Sequence, residues 1–152
     1  MLSILIPVYN YDVRPLVAGL RAQCEAAGAV WEILCFDDAS REGFRRLNRE
    51  VGEWPGVTWR ELPDNQGRAR IRNLLAGAAR YEYLLFMDCD SGLVRPDYVR
   101  TYLDHLAPGR LLYGGRVYRA EPPEDPALRL HWTYGRRREQ VPVDRRRVQP
   151  YH

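Results

Sequence analysis

The run Leu2-Ser3-Ile4-Leu5-Ile6-Pro7-Val8 is apolar almost without a break, and that continuity constrains the fold more than any other feature. A strand with one wet face alternates apolar and polar residues. A strand that is apolar on both faces has to be covered on both, as in a parallel sheet between helices. Trp31 to Phe36 is a second strand, Val57 to Leu62 a third, shorter one and the apolar Tyr83 to Met87 a fourth, and Leu111 to Tyr118 is expected to be a fifth.

The segments between these runs change to helical spacing. Asp12 offers an N-cap, Val13, Leu16, Val17, Leu20, Cys24 and Ala27 recur on one helical face, and Gly28 ends the helix. Ser40 can cap a short helix carrying Phe44, Leu47 and Val51. Asn65-Gln66-Gly67 is turn chemistry that opens a helix with Ile71, Leu74, Leu75 and Ala78 on one side. Pro96-Asp97 starts another, with Val99, Tyr102, Leu103 and Leu106 inward. The order βαβαβαβαβ predicts a mostly parallel α/β sheet flanked by helices, an α/β/α sandwich. After Tyr118 the alternation fails. Glu121-Pro122-Pro123-Glu124-Asp125-Pro126 is a break, so residues 1–120 are expected to form one domain and 121–152 the start of a second segment. The sequence reads as continuing past His152.

The strand ends carry the chemistry. Asp88-Cys89-Asp90 follows the fourth apolar run, and two carboxylates on alternate residues of an extended stretch can face one side and suit an oxygen-coordinated divalent cation. Pro7-Val8-Tyr9-Asn10 ends the first run, where the Tyr9 ring can stack on a nucleobase or simply close a strand. Asp37 and Asp38 end the second; being adjacent they point to opposite faces, so one can cap a helix while the other meets ligand. Arg68 and Arg72 lie one turn apart on the helix that Gly67 opens. They can grip phosphate oxygens beside N–H groups that attract anions.

Pro7-Val8-Tyr9-Asn10, Asp37-Asp38-Ala39-Ser40, Asn65-x-Gly67 with Arg72-Asn73, and Asp88-x-Asp90 occur in an order and spacing that resembles the inverting family 2 glycosyltransferases of the GT-A (Rossmann-like) fold. The likeness covers about residues 2–118. It implies a nucleotide-diphosphate-sugar donor, usually UDP-linked, a Mg2+ or Mn2+ ion, and transfer to a saccharide or lipid-linked acceptor with inversion. By the same resemblance Pro7 and Tyr9 line the base pocket, and Asp38 accepts from the uracil N3–H. Asp90 touches the metal, while Asp88 reaches ribose or a metal-bound water. One departure stands out: a third acid often follows the motif in that family, and this chain has Ser91-Gly92. A general base is implied after the fifth strand. Glu121, Glu124 and Asp125 lie in that direction without a clear motif, so the base is expected beyond His152. His131, beside Trp132, reads as either a structural or a metal- or acceptor-contacting residue.

Composition removes other chemistries. All 23 basic residues are Arg, which excludes a P-loop lysine and any lysine Schiff base. A haloacid-dehalogenase-type hydrolase would carry its Asp-x-Asp on the first strand, and a response-regulator receiver needs a lysine. From Arg129 onward the net charge is +5 against −2 before it, within a whole-chain +3. Arg136-Arg137-Arg138 and Arg145-Arg146-Arg147 are a solvated face, or they meet an anionic acceptor, a diphosphate or an acidic membrane surface as a peripheral contact. Nucleic acid is not expected, because the first 128 residues offer no basic stripe. No apolar run approaches the ~18 residues of a bilayer span. Cys24, Cys35 and Cys89 lack zinc-site spacing, and the N-terminus reads as a strand, which together predict a reduced, cytoplasmic protein. The competing function is a nucleotide-binding module that holds donor without transferring sugar.

Overall fold

The computed structural model describes residues 1–146; Arg147 and Pro150-Tyr151-His152 lie outside them. The chain divides into two units, Met1–Ala107 and Pro108–His152, with the boundary falling before the break at 121.

In the first unit, β1 (Leu2–Val8), β2 (Trp31–Asp37), β3 (Val57–Glu61) and β4 (Tyr83–Phe86) form one sheet in the order β3-β2-β1-β4. Every pair is parallel, with Ile4 opposite Ile33 and Leu85, and Leu5 opposite Leu34 and Phe86. All four strands therefore run out toward one edge. The pleat sends Ile4, Ile6, Val8, Ile33, Cys35 and Leu85 to one face. There they meet Leu16, Val17, Leu20 and Cys24 of α1 (Arg14–Ala26) and, after α2 (Glu42–Asn48) and α3 (Gly67–Ala78), Val99 of α4 (Tyr98–Leu103). Leu5, Leu34 and Phe36 face the other way, onto Ile71 and Leu75 of α3 (Gly67–Ala78). A central strand buried on both faces is what the unbroken apolar run of Leu2–Val8 required.

At the opposite edge Glu32, 3% exposed, is fully satisfied. Ser3 Oγ donates to its Oε1 at 2.6 Å, the Arg80 amide to the same atom at 2.6 Å, and Arg80 Nε to Oε2 at 2.8 Å. This carboxylate pins the turn from α3 into β4 against β1 and β2.

Some helical faces differ from expectation. α2 (Glu42–Asn48) turns Asn48 inward, and Leu47 is 40% exposed. Asn48 Oδ1 accepts from the Val13 amide and its Nδ2 donates to the Tyr11 carbonyl, so the inward position clamps the β1–α1 loop rather than filling a core. Ser40 does not cap α2; its Oγ accepts from the Asn10 amide at 2.8 Å. Leu74 of α3 is likewise exposed. Asp12 acts one position earlier than an N-cap, holding the amide and guanidinium of Arg14.

The second unit overturns the fifth strand: residues 111–118 are irregular, and Leu111 is 95% exposed. Gly114-Gly115 interrupts the run, with Gly115 at φ +77°, a left-handed conformation that ends extended pairing. The chain there is held by side chains of the following helices instead. Trp132 Nε1, on α5 (Pro126–Tyr134), donates to the Arg119 carbonyl at 2.9 Å. Arg136 stacks on the Trp132 ring and donates to the Ala120 carbonyl. The Tyr118 hydroxyl donates to Glu139 in the π-helical turn Gly135–Glu139, and a last short helix, α6, spans Val143–Arg146. Among the described residues no helix is long and apolar enough to cross a membrane.

Candidate functional site

Parallel pairing alone brings the ends of β1, β2 and β4 to one edge, and with them Pro7, Tyr9, Asp38, Asp88 and Asp90. Backbone and side-chain bonds tie the first two ends together. The Asp38 amide donates to the Val8 carbonyl at 2.8 Å, and the Arg41 amide to Asn10 Oδ1 at 2.9 Å. The crossing uses two left-handed residues, Asn10 at φ 51° and Ala39 at φ 61°. Asn tolerates that region, whereas Ala39 is strained there by about 1–2 kcal/mol. Pro7 is half-buried and Tyr9 is 54% exposed, so its ring stands free at the edge.

The two acids at the end of β2 are both engaged with the protein. Asp37 is fully buried; its Oδ1 accepts from the Ser40 amide at 2.9 Å and from Arg45 Nε at 3.1 Å. Asp38, 6% exposed, accepts from the Gln66 amide at 2.6 Å on Oδ1 and from the Gly67 amide at 3.0 Å on Oδ2. The N–H groups at the start of α3, expected to await an anionic ligand, are thus already met by an anion of the chain itself. Asn65 reinforces the arrangement by donating to the Asp38 carbonyl. Sequence reading missed this use of Asp38 and Asn65, because the partners are nearly thirty residues apart and no local pattern joins them.

Asp88 and Asp90 do not lie on an extended stretch. The Ser91 amide donates to the Asp88 carbonyl at 3.0 Å, closing a tight turn over Cys89-Asp90. Cys89 packs against the core, where burial pushes its thiol up while a hydrogen bond from the Tyr9 backbone opposes the shift. With the middle residue drawn inward, Asp90 is exposed and Asp88 half-exposed. Arg72 Nη2 donates to Asp88 Oδ1 at 2.5 Å, and Arg72 Nη1 reaches back to the Arg68 carbonyl at 3.1 Å. The structure therefore joins two residues that were expected to meet different parts of a ligand. Arg68 is exposed on the same helix.

The donor set suits a hard divalent cation. Asp88 and Asp90 supply carboxylate oxygens, and no group of three or more His, Cys, Asp or Glu gathers among the described residues. Such an ion would complete its shell with ligand oxygens and water, as Mg2+ commonly does. Of the acceptor-side candidates, Asp125 caps α5 through the Ala127 amide at 2.9 Å, and Glu121 and Glu124 are exposed. His131 is exposed, its ring 6.2 Å edge-on from Tyr118. A shallow hollow of about 480 Å3 against α2, lined by Arg41, Phe44, Arg46 and Leu47, includes none of these residues.

The chain is similar to proteins of known family and fold. The family model described as Glycosyl transferase family 2 matches residues 3–150. The chain is 31% identical over 108 residues to chondroitin synthase of Escherichia coli, covering 70% of this chain and 16% of that protein. It is 33% identical over 90 residues to an uncharacterized glycosyltransferase of Haemophilus influenzae, covering 59% and 29%. The chain thus spans less than a third of the curated relatives it matches. Among solved structures, a mannosyltransferase of Pyrobaculum calidifontis in complex with GDP-Man and Mn2+ superposes with a TM-score of 0.64 at 21% identity, over 78% of this chain and 35% of that one. TarS of S. aureus in complex with UDP-GlcNAc superposes at 0.51 and 24% identity, over 59% and 26%. These likenesses show a shared fold.

Proposed function

This chain belongs to glycosyl transferase family 2, and from that premise we propose that its sheet edge holds a nucleoside-diphosphate sugar, UDP-linked, for inverting transfer to a hydroxyl. The observation that carries the reading is the meeting of Arg72 with Asp88 where β4 runs out. A cation and an acid already face each other where a diphosphate and a divalent ion would sit.

Tyr9 offers its exposed ring to the base, next to Pro7. Each Asp38 oxygen keeps a second lone pair beyond its bond to the α3 amides, so the carboxylate can also take a donor such as uracil N3–H. Arg72, with Arg68 one turn away, grips the diphosphate, and two guanidiniums there orient the leaving group. Asp90, with Asp88, would hold Mg2+ or Mn2+. Bound there, such an ion supplies Lewis-acid stabilisation of the charge on the departing diphosphate. The Arg-rich segment from Arg129 onward is assigned to the acceptor side, where a saccharide, a lipid-linked acceptor or an anionic membrane surface would be met. No described residue is assigned as general base. A positioned base would contribute ~10²–10⁴ in rate. Release of UDP from a panel of UDP-sugars, by this chain and by a longer one, tests the reading. Acceptor-dependent release by the longer chain supports it. If neither chain releases UDP although both bind it, the non-catalytic binding module stands instead.

A further inference from the structure

Gly19 and Gln23 lie one turn apart on α1, outside the strand-end site, and both touch the segment that leaves the Asp88-Cys89-Asp90 turn. Gln23 Nε2 donates to the Arg95 carbonyl at 2.7 Å, and its Oε1 accepts from the Val99 amide at 3.0 Å. A Cβ at Gly19 would stand 2.9 Å from Leu93 Cδ1, so Leu93 rests on the helix where a side chain is missing. Leu93 also packs on the core beneath.

Resting on the donor-site reading, we infer that Gln23, with Gly19, positions Asp90 for the cation and diphosphate. The turn is fixed on its incoming side by the sheet, through β4 and the Met87 amide on the Leu5 carbonyl at 3.0 Å. Its middle is fixed by Cys89. Residues 91–97 are irregular, and an exposed loop of that kind drifts unless it is tied down. The side-chain amide of Gln23 is a two-ended tie. It satisfies a loop carbonyl and an amide in the first turn of α4 at once, from a separate helix. Leu93 in the Gly19 gap stops the same loop from sliding along α1. Asp90 is exposed, and its carboxylate inherits its position from these contacts. A ligand carboxylate whose outer supports are removed typically loses 10–100-fold in metal affinity.

The test measures UDP affinity with and without Mn2+ by calorimetry in the wild type, Gln23→Met, Gln23→Glu, Gly19→Ala and Cys24→Ala. Gln23→Met removes both hydrogen bonds. Gln23→Glu keeps the acceptor for Val99 and loses the donor to Arg95. Gly19→Ala crowds the Leu93 Cδ1 methyl, so that the Leu93 side chain has to shift. Cys24→Ala opens a core gap in the same helix while keeping both Gln23 hydrogen bonds and the Gly19 gap, and so reports destabilisation. The expected result is a roughly 10-fold weaker Mn2+-supported affinity in Gln23→Met, a smaller loss in Gln23→Glu and Gly19→Ala, and metal-free affinity within about twofold of wild type in all. Cys24→Ala should lower the thermal midpoint yet keep the wild-type Mn2+ effect. A wild-type Mn2+ effect in Gln23→Met, or an equal loss in Cys24→Ala, overturns the positioning role. Absence of any Mn2+ effect in the wild type sinks the donor-site reading, and this inference with it.

Discussion

Arg72 on α3 and Asp88 after β4 form an ion pair at 2.5 Å, with 34% and 40% of their side chains exposed. Exposed pairs of this kind contribute ~0–1 kcal/mol to stability. Their value on the donor-site reading is that each is held ready for another partner. A diphosphate can take the guanidinium, and the freed carboxylate can turn to ribose or a metal-bound water.

Arg72→Ala is therefore expected to change folding stability by less than about 1 kcal/mol. UDP affinity should fall roughly 10-fold while uridine affinity stays put, since the lost bonds go to phosphate. Calorimetry with both ligands, beside urea unfolding, checks it. Equal losses for UDP and uridine would place Arg72 elsewhere.

Asp37 and Asp90 should separate cleanly. Asp37→Ala strands the Ser40 amide and Arg45 around a buried site, and the expected cost is about 2–4 kcal/mol. Asp90→Ala, on an exposed turn, should cost less than ~0.5 kcal/mol and remove the Mn2+ contribution to UDP binding. Denaturant midpoints and binding isotherms on both variants decide it. A stable Asp37→Ala, or an Asp90→Ala that keeps its Mn2+ effect, contradicts the assignment.

Glu32 gives the fold an acid-sensitive latch. Burial raises its pKa, but hydrogen bonds from Ser3 and Arg80 outweigh that and hold the carboxyl below its ordinary 4.5. The folded value lies below the unfolded one, so the stabilisation is fully present above about pH 4.5 and is lost as pH falls through the folded value. Glu32→Gln should cost about 1–2 kcal/mol near neutrality. Its difference from wild type should shrink as pH drops below 4.5, which urea unfolding across pH 3 to 7 would record. A constant difference would show that the charge is not what holds the latch.

Much of the sheet was legible because continuous apolar runs leave few alternatives: Leu2–Val8 and Tyr83–Phe86 fall where the periodicity put them. The run at 111–118 misled because apolar content alone does not make a strand. Gly114-Gly115 breaks the extension, and just past the run Trp132 and Arg136 tie down the Arg119 and Ala120 carbonyls. The acids at the strand ends were visible as residues. Their partners were not, since Asp38 reaches Gln66 and Arg72 reaches Asp88 only after the chain folds back on itself. Gln23 read as an ordinary polar position on α1, and only its two bonds to residues more than seventy away distinguish it.

The central claim, a metal-assisted nucleotide-diphosphate site at the sheet edge, is met most directly by titrating UDP, UDP with Mn2+, and CDP with Mn2+ into the wild-type chain. UDP with Mn2+ should bind most tightly, because Asp90 would hold the ion beside the diphosphate and Asp38 would accept a base N–H that cytosine lacks. Equal affinity for UDP with and without Mn2+ would contradict the metal site, and equal affinity for UDP and CDP would contradict the role of Asp38.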